Sequence, residues 1–120
     1  MKKSILIVDD DVANLKLAEL ILNQEYYELH CVKTGLDALR FLKRKKADLI
    51  LLDIQMPIMS GIKTLEKIRA EKDLADIPVI ILTSSGDKET IVDACRLEVV
   101  DYIIKPFIPT DLLERVRKAL

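Results

Sequence analysis

Residues 48–61 read Asp48-Leu49-Ile50-Leu51-Leu52-Asp53-Ile54-Gln55-Met56-Pro57-Ile58-Met59-Ser60-Gly61. Four consecutive aliphatic residues without polar alternation describe a strand covered on both faces, which belongs inside a parallel sheet. The run stops on a carboxylate, Asp53, and Pro57 and Gly61 bracket a loop behind it. The pattern recurs along the chain. Ile5-Leu6-Ile7-Val8 runs into Asp9 and Asp10, Val79-Ile80-Ile81-Leu82 into Thr83, and Tyr102-Ile103-Ile104 into Lys105. Ligands of an open parallel sheet bind outside the carboxyl ends of its strands. Here those ends carry three carboxylates, one hydroxyl and one ammonium.

Between the runs the apolar period becomes helical. Leu15, Ala18 and Leu22 form one stripe, Ala38, Leu39 and Leu42 a second, and Ile62, Leu65 and Ile68 a third. Ile91, Ala94 and Cys95 make a fourth, and Leu112, Val116 and Ala119 a fifth. A weaker, half-polar strand over 28–32 belongs at a sheet edge. Helix starts are signalled at Thr34, with Asp37 three residues on, at Ser60 and at Thr110. Strands alternating with helices and right-handed crossovers give an α/β fold: a doubly wound, five-stranded parallel sheet in a flavodoxin-like three-layer sandwich. The expected strand order, 2-1-3-4-5, sets the first strand beside the third, and so Asp9 and Asp10 beside Asp53. One domain is expected over residues 1–120, with no linker or repeat.

At 120 residues, half of them hydrophobic, the chain can bury a core of its own. A net charge of −1 lacks the basic surplus of a nucleic-acid footprint, so no direct nucleic-acid binding is expected. Lys43-Arg44-Lys45-Lys46 is the one basic run. It reads as the solvated end of a helix, where cations suit the macrodipole, with a contact patch for an acidic partner as the other reading. Cys31 and Cys95 show no metal-ligand spacing and are expected to be reduced and buried. No segment approaches the length of a membrane span or a signal-peptide core, so a soluble, cytoplasmic protein without membrane contact is expected.

Clustered carboxylates raise one another's pKa, and a divalent cation relieves the conflict. Oxygen ligands with no His or Cys nearby select a hard ion, Mg²⁺. Three Asp, one Mg²⁺ and one Lys sum to no formal charge. A carboxylate that attacks phosphorus forms an acyl phosphate, which adds roughly one negative charge for Mg²⁺ and Lys105 to balance, and phosphoryl transfer needs little more than such positioning. Each element alone has a plainer reading. An Asp after a strand is usually a helix cap or turn residue, Thr83 and Ser84 are a strand end, Lys105-Pro106 is a strand terminator, and Tyr102 is a core or edge aromatic. The convergence of four strand ends is what separates the readings.

Over nearly its whole length the chain resembles the CheY-like receiver domains of response regulators. The resemblance rests on Ile5 to Asp11, on Asp48 to Gly61, on Val79 to Ser85 and on Asp101-Tyr102-Ile103-Ile104-Lys105-Pro106-Phe107. It implies a phosphorylation-dependent switch in two-component signalling. Asp53 would be the phosphorylated nucleophile. Asp10, Asp53 and the Gln55 backbone carbonyl would hold Mg²⁺, with Asp9 acting through a metal-bound water. Lys105 would pair with the phosphoryl oxygens. Thr83 would turn inward to the phosphoryl group, and Tyr102 would follow. In the family the Lys105-Pro106 bond is typically cis. The implied partners are a sensor histidine kinase or histidine phosphotransfer protein and a downstream output domain or target, with a homodimer through the fourth and fifth helices as an analogy. Such a domain is not an enzyme beyond its own phosphorylation and dephosphorylation.

The chain departs from the family in two places. Glu98-Val99-Val100 stands where many receivers carry Gly-Ala, so the fourth helix is expected to lack an easy left-handed cap. Ser84 stands where Ala is common and, being small, should leave Asp53 accessible; Gln55 and Ser85 flank the water path. Three other readings compete. A haloacid-dehalogenase-type phosphohydrolase would use Asp9 as nucleophile and Asp11 as acid/base, but Ala13 stands where that class has Thr. A flavodoxin would want a Ser/Thr/Gly phosphate loop after the first strand, where this chain has acids. A receiver fold could also serve as an unphosphorylated interaction domain.

Overall fold

The computed structural model describes residues 2–84 and 88–120. Strands and helices alternate as β1 (Lys3–Val8), α1 (Val12–Leu22), β2 (Tyr27–Val32), α2 (Gly35–Arg44), β3 (Leu49–Asp53), α3 (Gly61–Ala70), β4 (Val79–Thr83), α4 (Lys88–Arg96), β5 (Asp101–Ile104) and α5 (Pro109–Ala119). The five strands are parallel in the order β2-β1-β3-β4-β5, the doubly wound arrangement expected from the sequence.

The unbroken apolar runs are explained by strand geometry, in which successive side chains point to opposite faces. Leu6, Val8, Ile50, Leu52, Val79 and Ile81 pack under α2, α3 and α4. The residues between them, Ile5, Ile7, Leu49, Leu51, Ile80 and Leu82, pack under α1 and α5. Half-polar β2 lies at the edge, as its composition requires.

The caps at Thr34 and Ser60 form: their hydroxyls accept from Asp37 N at 3.0 Å and Lys63 N at 3.2 Å. The start expected at Thr110 is corrected. α5 begins at Pro109 after Ile108, with no side-chain cap, because proline's fixed φ suits the first helical position and it has no N–H to satisfy. The cysteine expectation is also corrected, since both thiols are free and both residues exposed. Cys95 sits one residue past buried Ala94, about 100° around the helix. Cys31 lies on the edge strand with its sulfur 3.9 Å from the Glu19 carboxylate, where partial desolvation and that charge push the thiol up to about 11.

The end of α4 is a third correction. Glu98 takes the left-handed conformation, with φ 61°, in place of a glycine. Arg69 of α3 holds the turn, its guanidinium donating to the carbonyls of Leu97 at 2.8 Å and Glu98 at 3.4 Å. The same guanidinium donates to Ala75 at 3.1 Å and Ile77 at 2.8 Å in the loop before β4. A non-glycine residue in this conformation costs about 1–2 kcal/mol. Glu98→Gly should therefore raise unfolding stability by about 0.5–1 kcal/mol after the entropic cost of glycine, measured by urea denaturation; an unchanged or lower midpoint would mean that Glu98 is unstrained.

Candidate functional site

The register assembles the site. Val8 pairs with Leu52, so the residues that follow, Asp9 and Asp53, emerge side by side from β1 and β3. Thr83 pairs with Ile104 at the ends of β4 and β5, and Lys105 N donates to Thr83 O at 2.7 Å. Lys105 reaches back over the sheet edge, its ammonium 2.8 Å from Asp9 Oδ2 and 3.4 Å from Asp53 Oδ1. The Lys105–Pro106 peptide is cis. Asp9, Asp53 and Thr83 are buried, whereas Asp10 is exposed at the mouth.

Backbone donors fix the two buried carboxylates. Asp11 N donates to Asp9 Oδ1 at 3.0 Å and Gln55 N to Asp53 Oδ1 at 3.1 Å. The loop after Asp53 turns through Ile58, at φ 68°, and returns where Gly61 N donates to Ile54 O at 2.8 Å. Gly61 is required there, because a Cβ would stand 2.1 Å from the Asp53 carbonyl oxygen. At the mouth, Ser84 Oγ donates to Gln55 Oε1 at 2.8 Å. This link between the β3 and β4 loops has no sequence signal, since the two residues are 29 positions apart. Ser85 lies outside the described residues. Tyr102 is exposed on edge strand β5, away from the carboxylates.

One ammonium serves two buried carboxylates, and the electrostatics reflect it. Burial pushes the Asp53 carboxyl up to about 7; Lys105 pulls it down, Asp9 pushes it up, the Gln55 N–H lowers it and a hydrogen bond with Asp10 raises it. Ligand oxygens of Asp9, Asp10 and Asp53 lie within 4.8 Å of one another. Asp9 Oδ2, although beside Lys105, is buried and accepts no hydrogen bond, so the ammonium meets it off the hydrogen-bonding direction. An all-oxygen cluster with a buried, unsatisfied carboxylate oxygen suits a hard divalent cation.

The chain belongs to the response regulator receiver domain family, whose pattern it matches over residues 5–117. It is a member of the CheY-like receivers of two-component systems. It is 33% identical over 120 residues to the DNA-binding response regulator MtrA of Mycobacterium tuberculosis, covering 100% of this chain and 51% of that protein. The chain thus spans about half the length of such curated relatives. A CheY-like receiver domain protein from Methanospirillum hungatei is 34% identical with a TM-score of 0.90, covering 98% of this chain and 93% of that one. The chemotaxis protein CheY4 of Vibrio cholerae, at 24% identity, shares the fold over 100% of both chains with a TM-score of 0.94. The phosphohydrolase alternative finds no support. Asp11, its acid/base, is exposed and caps α1, accepting from Ala13 N at 2.9 Å.

The raised Asp53 has a consequence for stability. Its ordinary value is 3.8 and its value in the metal-free site about 7, so between these the folded protein holds a proton that the unfolded chain has released. Below that window the site costs nothing; the cost grows as pH rises and is complete above it. Asp53→Asn removes it. The stability gap between metal-free Asp53→Asn and wild type should widen in favour of the variant between about pH 4 and about pH 8, by on the order of 1 kcal/mol or more, in thermal melts. A gap independent of pH would show that Asp53 is ionised throughout.

Proposed function

We propose that this chain is a phosphorylation-activated receiver whose phosphoacceptor is Asp53. The observation that carries the reading is the Lys105 ammonium bridging Asp9 and Asp53 at the carboxyl end of the sheet, with Asp10 beside them. An Asp53 carboxylate oxygen attacks the phosphorus of a phosphohistidine on a sensor kinase or phosphotransfer protein. The P–O bond forms, the P–N bond breaks, and the imidazole leaves with the electron pair. Lys105 then pairs with the phosphoryl oxygens. Asp10, Asp53 and the Gln55 carbonyl would hold Mg²⁺, with Asp9 acting through a metal-bound water. Bound there, the ion would supply positive charge that favours ionised Asp53 and offsets the incoming phosphoryl group. The domain acts only on itself: Asp53, Lys105 and Thr83 serve its own phosphorylation and dephosphorylation, in the cytoplasm, without contacting nucleic acid or membrane.

The output is a two-state shift. Thr83 donates to the phosphoryl group, and a hydrogen bond to a charged acceptor is worth about 1.5–3 kcal/mol, enough to move an equilibrium roughly ten- to a hundredfold. Tyr102, exposed on β5, follows inward and changes the surface read by an output domain or target, or by a second copy through α4 and α5.

Incubation with Mg²⁺ and acetyl phosphate should add one acid-stable, base-labile phosphoryl group by intact mass. The adduct should be absent in Asp53→Asn, and Asp10→Asn should need more Mg²⁺ to form it. A label that persists in Asp53→Asn would place the nucleophile elsewhere, and no adduct in wild type would favour an unphosphorylated interaction domain. Thr83→Ala should still take the phosphoryl group but lose most of the phosphorylation-induced amide shifts around Tyr102; wild-type shifts in that variant would remove Thr83 from the switch.

A further inference from the structure

We propose that the groove between α2 and α3 docks an acidic peptide segment carrying leucine-like or aromatic side chains. The groove, of about 640 Å³, is floored by Leu39, Leu42 and Leu74. Leu42 belongs to the core, and Leu39 and Leu74 pack against it while remaining partly open. Leu36 extends the floor outward and is 52% exposed. A second depression continues past Leu42 and Leu74 to Ile77, so the apolar floor runs along the outer end of α2. Concave apolar surface of this kind on a polar exterior marks an interaction site.

The rim sets the chemistry of the occupant. Arg40, Lys43 and Lys67 flank the first depression, and Arg44, Lys45 and Lys46 flank the second, against the carboxylates Glu71 and Asp73. Elsewhere the chain compensates this positive charge, because its net charge is −1. Arg40 and Lys45 make long, exposed pairs with Asp37 at 3.8 Å and Glu28 at 3.9 Å, which solvent largely screens. Among the described residues Lys43, Arg44, Lys46 and Lys67 have no ion pair. Four such cations around an apolar floor favour carboxylates flanking apolar anchors. Glu71 and Asp73 within the wall disfavour a continuous polyanion such as a nucleic-acid backbone or a flat anionic bilayer.

The groove is also separate from the phosphorylation pocket. Helices in this fold run back against the strands, so the last turns of α2 and α3, which carry Lys43, Lys67 and the C-cap Glu71, lie toward the amino end of the strands, opposite Asp53; of the lining, Leu36 alone sits in the first turn of α2. A partner seated there leaves Asp53 open to a phosphodonor.

The test is selection from a display library of random peptides of about twelve residues, ~18 Å as a helix, against the immobilised chain. Enrichment of Asp and Glu around Leu or aromatic residues is expected. A synthesised winner should shift the amide resonances of Leu39, Lys43, Lys67 and Leu74, and added salt should weaken it. Lys43→Glu with Lys67→Glu should lower its affinity by roughly tenfold or more; acetyl phosphate labelling of Asp53 should stay at the wild-type level, showing that the fold is kept. Selection without acidic enrichment, binders indifferent to the double variant, or shifts confined to other helices would overturn the proposal. So would binding to phosphatidylglycerol vesicles or duplex DNA that depends on these lysines while no peptide is selected.

Discussion

The structure depends on an ammonium set between two buried carboxylates. Asp9 and Asp53 meet because β1 and β3 are paired neighbours, and that pairing follows from apolar runs that must be covered on both faces. Holding two carboxylates out of water is unfavourable by several kcal/mol per ion unless they are paired and hydrogen-bonded. Lys105, together with the N–H groups of Asp11 and Gln55, meets part of that cost. The sheet meets the rest, since each fully buried Ile or Leu contributes about 1.5–3 kcal/mol and the strands supply many. The site thus remains deficient in positive charge inside a frame stable enough to tolerate it.

That deficit suits the pocket to a hard cation and, under the proposed function, to a phosphoryl group whose charge the cation would offset. A balanced ion pair would have no use for either. Burial, reinforced by the neighbouring Asp9 carboxylate, pushes the Asp53 carboxyl up against the pull of Lys105, and a hard cation beside it would favour the ionised form. Gly61 closes the frame: with no Cβ it lies against the Asp53 carbonyl, so α3 starts at the back of Asp53. The glycine reads in sequence as a loop boundary, but its closer function is steric.

The strands, their order and the residues at their ends were legible because unalternating aliphatic runs have one common solution in a chain of this size. Asp9, Asp53, Thr83 and Lys105 are found where the pattern requires them. What was not legible turns on small rotations and on contacts remote in sequence. Cys95 is exposed because one helical step turns it off the stripe. Proline moved the N-cap of α5 from Thr110 back to Ile108. Ser84 and Gln55 meet only because two strand ends bring their loops together. Asp11, next in sequence to the clustered Asp9 and Asp10, is used as a helix cap.

Glu98 shows most clearly how tertiary structure overrides local preference. A missing glycine argues against a left-handed helix end, yet the turn forms because Arg69 collects four carbonyls from two loops. Burial pulls the guanidinium below its ordinary range, opposed by the Glu98 and Asp76 carboxylates, so the clamp is held at some electrostatic cost. α3 therefore touches the backbone of Asp53 at its first residue and the end of α4 through Arg69, near its last. A strained non-glycine residue stores about 1–3 kcal/mol, the same order as the hydrogen bond Thr83 would give a phosphoryl group. Strain of that size is matched by one or two charged hydrogen bonds, so the Glu98-Val99-Val100 turn is held by its tertiary contacts with Arg69 and not by its own sequence preference.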